Sequence, residues 1–261
     1  MTPTLVAVTE YGLSSAPPLL YIRALPAESG RPCGFGRAFE RWVLRGPARE
    51  RAVYAVGRPM SLPVDADMSR LAEVYANVVR GRFDGPVSLM GMSTGASVAL
   101  QLAADHPELV DSLVVAAGAG RLSPRGRAVQ RRYAAMLAAG GHRAAAELAS
   151  ATMSFRRLDP LVRAATRLLP APDDIESLLT ILRAEDGFDV RDRLGRVGAP
   201  TLILSGGRDV FYPAELGRET AVRMPRATHI VYRDRAHGGV PLHPRFAADI
   251  AAFLRRTQPT G

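Results

Sequence analysis

Short apolar runs at residues 19–23, 52–56, 87–90, 112–116, 201–205 and 229–232 alternate with longer stretches of helical period. Most of these runs are apolar throughout, not at every second position. A strand of that kind is covered on both faces, so the pattern predicts a mostly parallel central sheet flanked by helices, an α/β architecture. Between the runs, residues 35–44 set Phe35, Phe39, Trp42 and Val43 on a shared helical face. Residues 67–79 are apolar at Met68, Leu71, Val74, Tyr75, Val78 and Val79, with Asp65 and Asp67 near the start, where negative charge suits a helix dipole. Further helices are expected at 96–104, 213–224 and 246–254.

The alternation breaks between about residues 121 and 191. Helical patterns at 129–139, 143–152, 161–169 and 175–182 follow one another there without a strand, and Pro170-Ala171-Pro172 punctuates them. The expected organisation is a core built from residues 1–120 and 191–261, carrying a helical insertion at 121–190. A chain of 261 residues is long enough for one such domain.

Charge bears on which partners to expect. The formal net charge is +9, and all 34 basic residues are Arg; the chain has no Lys. The densest clusters, residues 121–132 and Arg156-Arg157, lack interleaved aromatics and match no nucleic-acid motif, so no nucleic-acid partner is expected. A basic surface would still attract acidic small substrates. Hydrophobic residues at 47% and charged residues at 23% argue against disorder. No apolar run approaches the roughly 20 residues that span a bilayer, so no membrane partner is expected. Met1-Thr2-Pro3-Thr4-Leu5 has no basic region before an apolar stretch and is not expected to be a signal peptide. The single Cys33 forms no internal disulfide, which suits a reducing, cytoplasmic setting. No His, Cys and Asp spacing suits a zinc ion, and no Gly-x-Gly-x-x-Gly follows a strand.

The run at 87–90 leads into Gly91-Met92-Ser93-Thr94-Gly95 and then a small-residue helix. A serine hydroxyl is a weak nucleophile until a base takes its proton, and the base works best when a carboxylate holds its tautomer. Both partners follow in the chain. Asp209 comes just after the run at 201–205, and His237 comes after the run at 229–232. In a parallel sheet these strand ends open at one edge, where α/β proteins place their sites. Asp234, on the same segment as His237, is the alternative acid.

The order Ser, Asp, His and the glycine-flanked pentad resemble the α/β-hydrolase superfamily. The resemblance covers most of the chain, with residues 121–190 lying where that family carries its cap. It implies Ser93 as nucleophile, His237 as general base and then acid, and Asp209 as the residue orienting His237. One oxyanion donor is then the backbone N–H of Thr94, and the other comes from Ala24 or Leu25 after the run at 19–23. The family usually shows His-Gly there, whereas this chain has Arg23-Ala24. Arg23 has two readings: a structural Arg paired with a carboxylate beneath the loop, or a pocket residue binding an anionic group of the substrate. The family's Asp-x-x-Gly-x-Gly-x-Ser stretch, which helps shape the pocket floor, is altered here to Val56-Gly57-Arg58-Pro59-Met60-Ser61-Leu62-Pro63.

What the resemblance implies is a serine hydrolase acting on an ester, thioester or similar acyl bond of a small molecule through an acyl-enzyme, with no metal or organic cofactor. The altered oxyanion loop keeps a non-hydrolytic relative open, such as a cyclase, lyase or perhydrolase. A small-molecule binding protein without catalysis is the third reading. Oligomeric state is not legible.

Overall fold

The runs become β2 (Pro18–Ile22), β3 (Ala52–Val56), β4 (Val87–Met92), β5 (Val110–Ala116), β6 (Thr201–Gly206) and β7 (Ala227–Tyr232) in the computed structural model. It describes residues 6–25, 30–140, 144–153, 172 and 174–257. A further strand, β1 (Val8–Tyr11), pairs antiparallel with β3 at the sheet edge. The seven-stranded order is β1-β3-β2-β4-β5-β6-β7, and every pairing except β1 with β3 is parallel.

Continuous apolar runs arise because both sheet faces are covered. In β4, Val87 and Leu89 point into one core while Met90 and Met92 point into the other. Strand β5 divides likewise, with Leu113 and Val115 on the first side and Val114 and Ala116 on the second. Each such fully buried side chain contributes about 1.5–3 kcal/mol relative to exposure. The first face is covered by α3 (Met68–Arg82) and α4 (Thr94–Asp105). Asp67 caps α3, its carboxylate accepting from the Arg70 N–H at 2.8 Å, as negative charge at that end leads one to expect. The second face is covered by α1 (Gly34–Leu44) and by α9 (Phe246–Arg256). A single-turn α2 (Pro47–Glu50) follows α1, and α8 (Ala214–Val222) lies between β6 and β7.

Helix α1 corrects one expectation. Its buried residues are Glu40, Val43 and Leu44, whereas Phe35 is 86% and Trp42 46% exposed. Glu40 is the reason: its carboxylate takes the Arg23 guanidinium and the Tyr11 hydroxyl, which turns the 40/43/44 edge inward. Trp42 is left outside, with the Arg45 guanidinium 3.6 Å from its ring centre.

Between β5 and β6 the described residues form α5 (Pro124–Ala138), α6 (Ala144–Met153) and α7 (Ile175–Asp186). Ser123 caps α5 by accepting from the Gly126 N–H at 2.8 Å, and Pro124 opens its first turn. Tyr133, Leu137, Ala144, Leu178 and Leu182 pack these helices together. Arg121 and Asp189 form an antiparallel bridge where the segment leaves and rejoins the sheet. The helix expected at 161–169 and the pair Arg156-Arg157 lie outside the described residues.

Candidate active site

Strand β4 is buried along its whole length and meets α4 through one residue, Ser93, at φ 55° and ψ −124°. A non-glycine backbone there costs on the order of 1–3 kcal/mol and persists only where its surroundings enforce it. Here the Ser93 N–H donates to Ala116 O at 2.9 Å, and the Ser93 carbonyl accepts from the Ala96 and Ser97 N–H groups. The flanking glycines are set by close approach. A Cβ on Gly91 would lie 2.2 Å from Gly95 O, and one on Gly95 would lie 2.3 Å from Ile22 O. Helix α4 is therefore pressed against the end of β2, the loop carrying Ala24 and Leu25.

The turn presents Ser93 Oγ at 2.8 Å from His237 Nε2. His237 begins a 3-10 turn just after β7, and its Nδ1 lies 2.7 Å from Asp209 Oδ2. Asp209 follows β6, and its other oxygen accepts from the Phe211 and Tyr212 N–H groups at 2.8 and 3.0 Å. Asp209 and His237 are both buried, so their contact is shielded from water. Burial alone would push His237 down. The Asp209 charge and hydrogen bond, with a smaller contribution from the Glu185 charge, outweigh it and hold the imidazole above its ordinary 6.5. The alternative acid, Asp234, is 62% exposed and pairs with Arg235. The other described histidines lie elsewhere: His106 beside Glu73, His229 on Ser205, and His243 stacked on Tyr232. His142 lies outside the described residues.

Ser93 and His237 open into a cavity of about 220 Å³. Its apolar wall includes Leu25, Phe39, Leu122 and Phe211, and the segment between β5 and β6 adds Gln130, Leu148, Thr152, Leu182 and Glu185. No Arg lines it among the described residues. Thr94, Ala24 and Leu25 all border this cavity. Among the described residues, none of their N–H groups donates to a backbone carbonyl. The three positions expected to supply oxyanion donors are thus brought to one wall beside Ser93.

Arg23 is the correction here. Its guanidinium is salt-bridged to Glu40 and donates to Thr9 Oγ1 at 3.0 Å, with only 8% of the side chain exposed, and it does not line the cavity. The carboxylate partner beneath the loop exists, and no anion-binding head points at Ser93. The altered loop at residues 56–63 meets the start of α7. Arg58 donates to Asp174 O at 3.1 Å and the Leu62 N–H to Ser177 Oγ at 3.1 Å, strapping the loop to the start of α7. Burial would raise the Asp174 carboxyl, yet hydrogen bonds from Ser177 and Ser61, with the Arg58 charge, hold it below its ordinary value.

Glu185, Gln130 and Tyr212 escaped the sequence reading. Tyr212 stacks near the His237 ring, with centroids 6.0 Å apart at 27°. A signal for Glu185 did exist: it continues the buried Leu178, Ile181 and Leu182 stripe of α7 with an acid where an apolar residue fits the pattern. Cys33 is exposed. No three His, Cys, Asp or Glu side chains gather into a metal-binding group among the described residues, and no described helix is long and apolar enough to cross a membrane.

Several known proteins are similar to this chain. A family model described as serine aminopeptidase, S33, matches residues 63–239. A Klebsiella pneumoniae (strain 342) protein provisionally named carbamate hydrolase RutD is 30% identical over 174 residues, 65% of each chain. A Neisseria meningitidis pimeloyl-[acyl-carrier protein] methyl ester esterase is 29% identical over 210 residues, 72% of this chain and 64% of that one. The chain thus spans less than the full length of these relatives. The solved enol-lactonase from Burkholderia xenovorans LB400 superposes with a TM-score of 0.81 at 17% identity, covering 97% of this chain and 98% of that one.

Proposed function

The chain belongs to the α/β-hydrolase superfamily, through the family described as serine aminopeptidase, S33, and on that basis we propose a serine hydrolase of small, uncharged acyl compounds. The reading rests on one observation above the others: a continuous hydrogen-bonded path from Ser93 Oγ through His237 to Asp209, opening into a largely apolar cavity.

In the proposed reaction His237 Nε2 takes the Ser93 proton as Oγ attacks the acyl carbonyl. Asp209 keeps the Nδ1–H oriented and stabilises the imidazolium that forms. The Thr94 N–H, with that of Ala24 or Leu25, receives the developing oxyanion. His237 then protonates the departing alcohol or thiol, leaving an acyl group on Ser93. Water, activated by the same imidazole, releases the acid. A backbone donor does not depend on the family's His-Gly, so the positions of Ala24 and Leu25 on the cavity wall favour acyl-enzyme chemistry over the cyclase and lyase readings. The names of the Klebsiella and Neisseria relatives point to carbamate and ester carbonyls, and the same steps serve either.

The substrate is expected to be uncharged near the carbonyl. Arg23 faces Glu40, no described Arg reaches the cavity, and a buried carboxyl, Glu185, already occupies its wall. Residues 121–190 are read as a cap over the site, and the lone Cys33 fits a cytoplasmic location.

The test pairs a fluorophosphonate label with p-nitrophenyl esters of neutral and carboxylate-ended acids. Wild-type protein should label at Ser93 and hydrolyse the neutral esters faster, and Ser93→Ala should lose both properties. Labelling without turnover of any ester would support a non-hydrolytic enzyme instead. Activity that survives Ser93→Ala would overturn the assignment of the nucleophile.

A further inference from the structure

Glu185 stands near the C-terminal end of α7, 2% exposed, and no step above uses it. Both of its oxygens are fully engaged. Oε1 accepts from the Tyr212 hydroxyl at 2.5 Å and from Ser97 Oγ at 3.2 Å. Oε2 accepts from Thr94 Oγ1 at 2.8 Å and from Gln130 Nε2 at 3.0 Å. These donors come from the turn after the nucleophile, from α4, from α5, and from the loop carrying Asp209.

A buried acid is a costly way to stabilise this position. Desolvating a carboxylate costs several kcal/mol even after relaxation, and well-packed apolar residues in place of buried charges are often neutral or stabilising. Two of its partners do matter for the reaction. Thr94 carries the N–H expected to meet the oxyanion. Tyr212 stacks near the His237 ring, and its own N–H donates to Asp209. One carboxylate therefore holds the oxyanion side and the base side of the site to the same helix.

We infer that Glu185 is a positioning residue for hydrolysis, tying Thr94 and Tyr212 to α7 so that the oxyanion donor and the His237 ring keep a fixed relation. This inference rests on the reading of Ser93 and His237 given above. Because the donors reach α7 from separate segments, the nucleophile turn assembles fully only when α5 and α7 are docked. Burial raises the Glu185 carboxyl above its ordinary range, and four hydrogen bonds oppose that rise. The carboxylates that face His237 are Asp209 and Glu185, with the Phe211 and Tyr212 rings closing the other sides.

Glu185→Gln in the full chain is the primary test, since the amide keeps the shape but accepts at one end only, so its NH₂ end opposes the donors it faces and one side of the tie between Thr94 and Tyr212 is reversed or lost. With a neutral p-nitrophenyl ester, kcat should fall by about 10-fold to 100-fold while KM stays nearly constant, the pattern of lost transition-state alignment. The acid limb of kcat/KM should move to lower pH, because a negative charge that favours the imidazolium is gone. That shift reports the lost charge alone, whereas a purely structural glutamate would leave kcat of the folded variant unchanged. Tyr212→Phe, which removes a single arm, should lower kcat in the same direction and add less than independently when combined with Glu185→Gln. Wild-type kcat in Glu185→Gln overturns the inference while leaving the hydrolase reading intact. If Glu185→Gln fails to fold, as judged by near-ultraviolet circular dichroism, wild-type kcat in Tyr212→Phe overturns it. If Ser93 of the wild type takes no fluorophosphonate, the hydrolase reading and this inference fall together.

Discussion

Ser93 holds φ at 55° because the Ala116 carbonyl and the first turn of α4 fix it on either side, and that conformation lifts Oγ toward His237. Proton transfer requires a neutral imidazole. Since Asp209 and Glu185 hold His237 above 6.5 against the effect of burial, kcat/KM should fall as pH drops through a value higher than that of free imidazole. Asp209→Asn removes the stronger of the two charges, so the acid limb should shift to lower pH. The same variant should lose roughly 10⁴-fold in kcat, because the amide favours the wrong tautomer. A pH–rate profile of the two proteins checks both statements. At this scale the sequence named Ser93, Asp209 and His237 from a glycine-flanked serine and from strand-end positions. Arg23 could not be resolved that way, because its partner Glu40 lies on a helix whose inward face depends on their pairing.

Among the elements, the junction of β4, α4 and the end of β2 is closely packed. Gly95→Ala would set a Cβ 2.3 Å from Ile22 O and 2.4 Å from Arg23 O, so backbone must move. Overpacking of this kind costs about 1–3 kcal/mol, and the displaced strand end carries Ala24 and Leu25. The expected outcome is a lower melting temperature together with reduced kcat at temperatures where the variant is still folded. Thermal denaturation and steady-state assays measure the two separately. The interior strands were legible because burial on both faces leaves long apolar runs in β4, β5 and β6. Strand β1 was not, since Val8–Tyr11 is four residues long, incompletely buried and at the sheet edge, and so carries little pattern. The exposed ring of Trp42 misled the reading of α1, because an apolar residue covered by a neighbouring guanidinium looks the same in sequence as one in the core.

Across the whole molecule, charge and chemistry are separated. The +9 surface is arginine throughout, and much of it is paired, as in Arg191 with Asp189 and Glu219. The cavity takes no described arginine and keeps a carboxyl instead. The contacts that define the site also span great lengths of chain. Ser93 meets His237 across 144 positions, and Thr94 meets Glu185 across 91. Closing loops of that size is entropically costly and slow, particularly in a parallel sheet. Local helices form long before such distant segments meet. During refolding from denaturant, the far-ultraviolet signal should therefore recover ahead of the reactivity of Ser93 toward a fluorophosphonate, and stopped-flow dichroism beside timed labelling would show the lag. A nascent or half-folded chain would carry an inert hydroxyl, and the nucleophile would become reactive only once the last distant segment had closed.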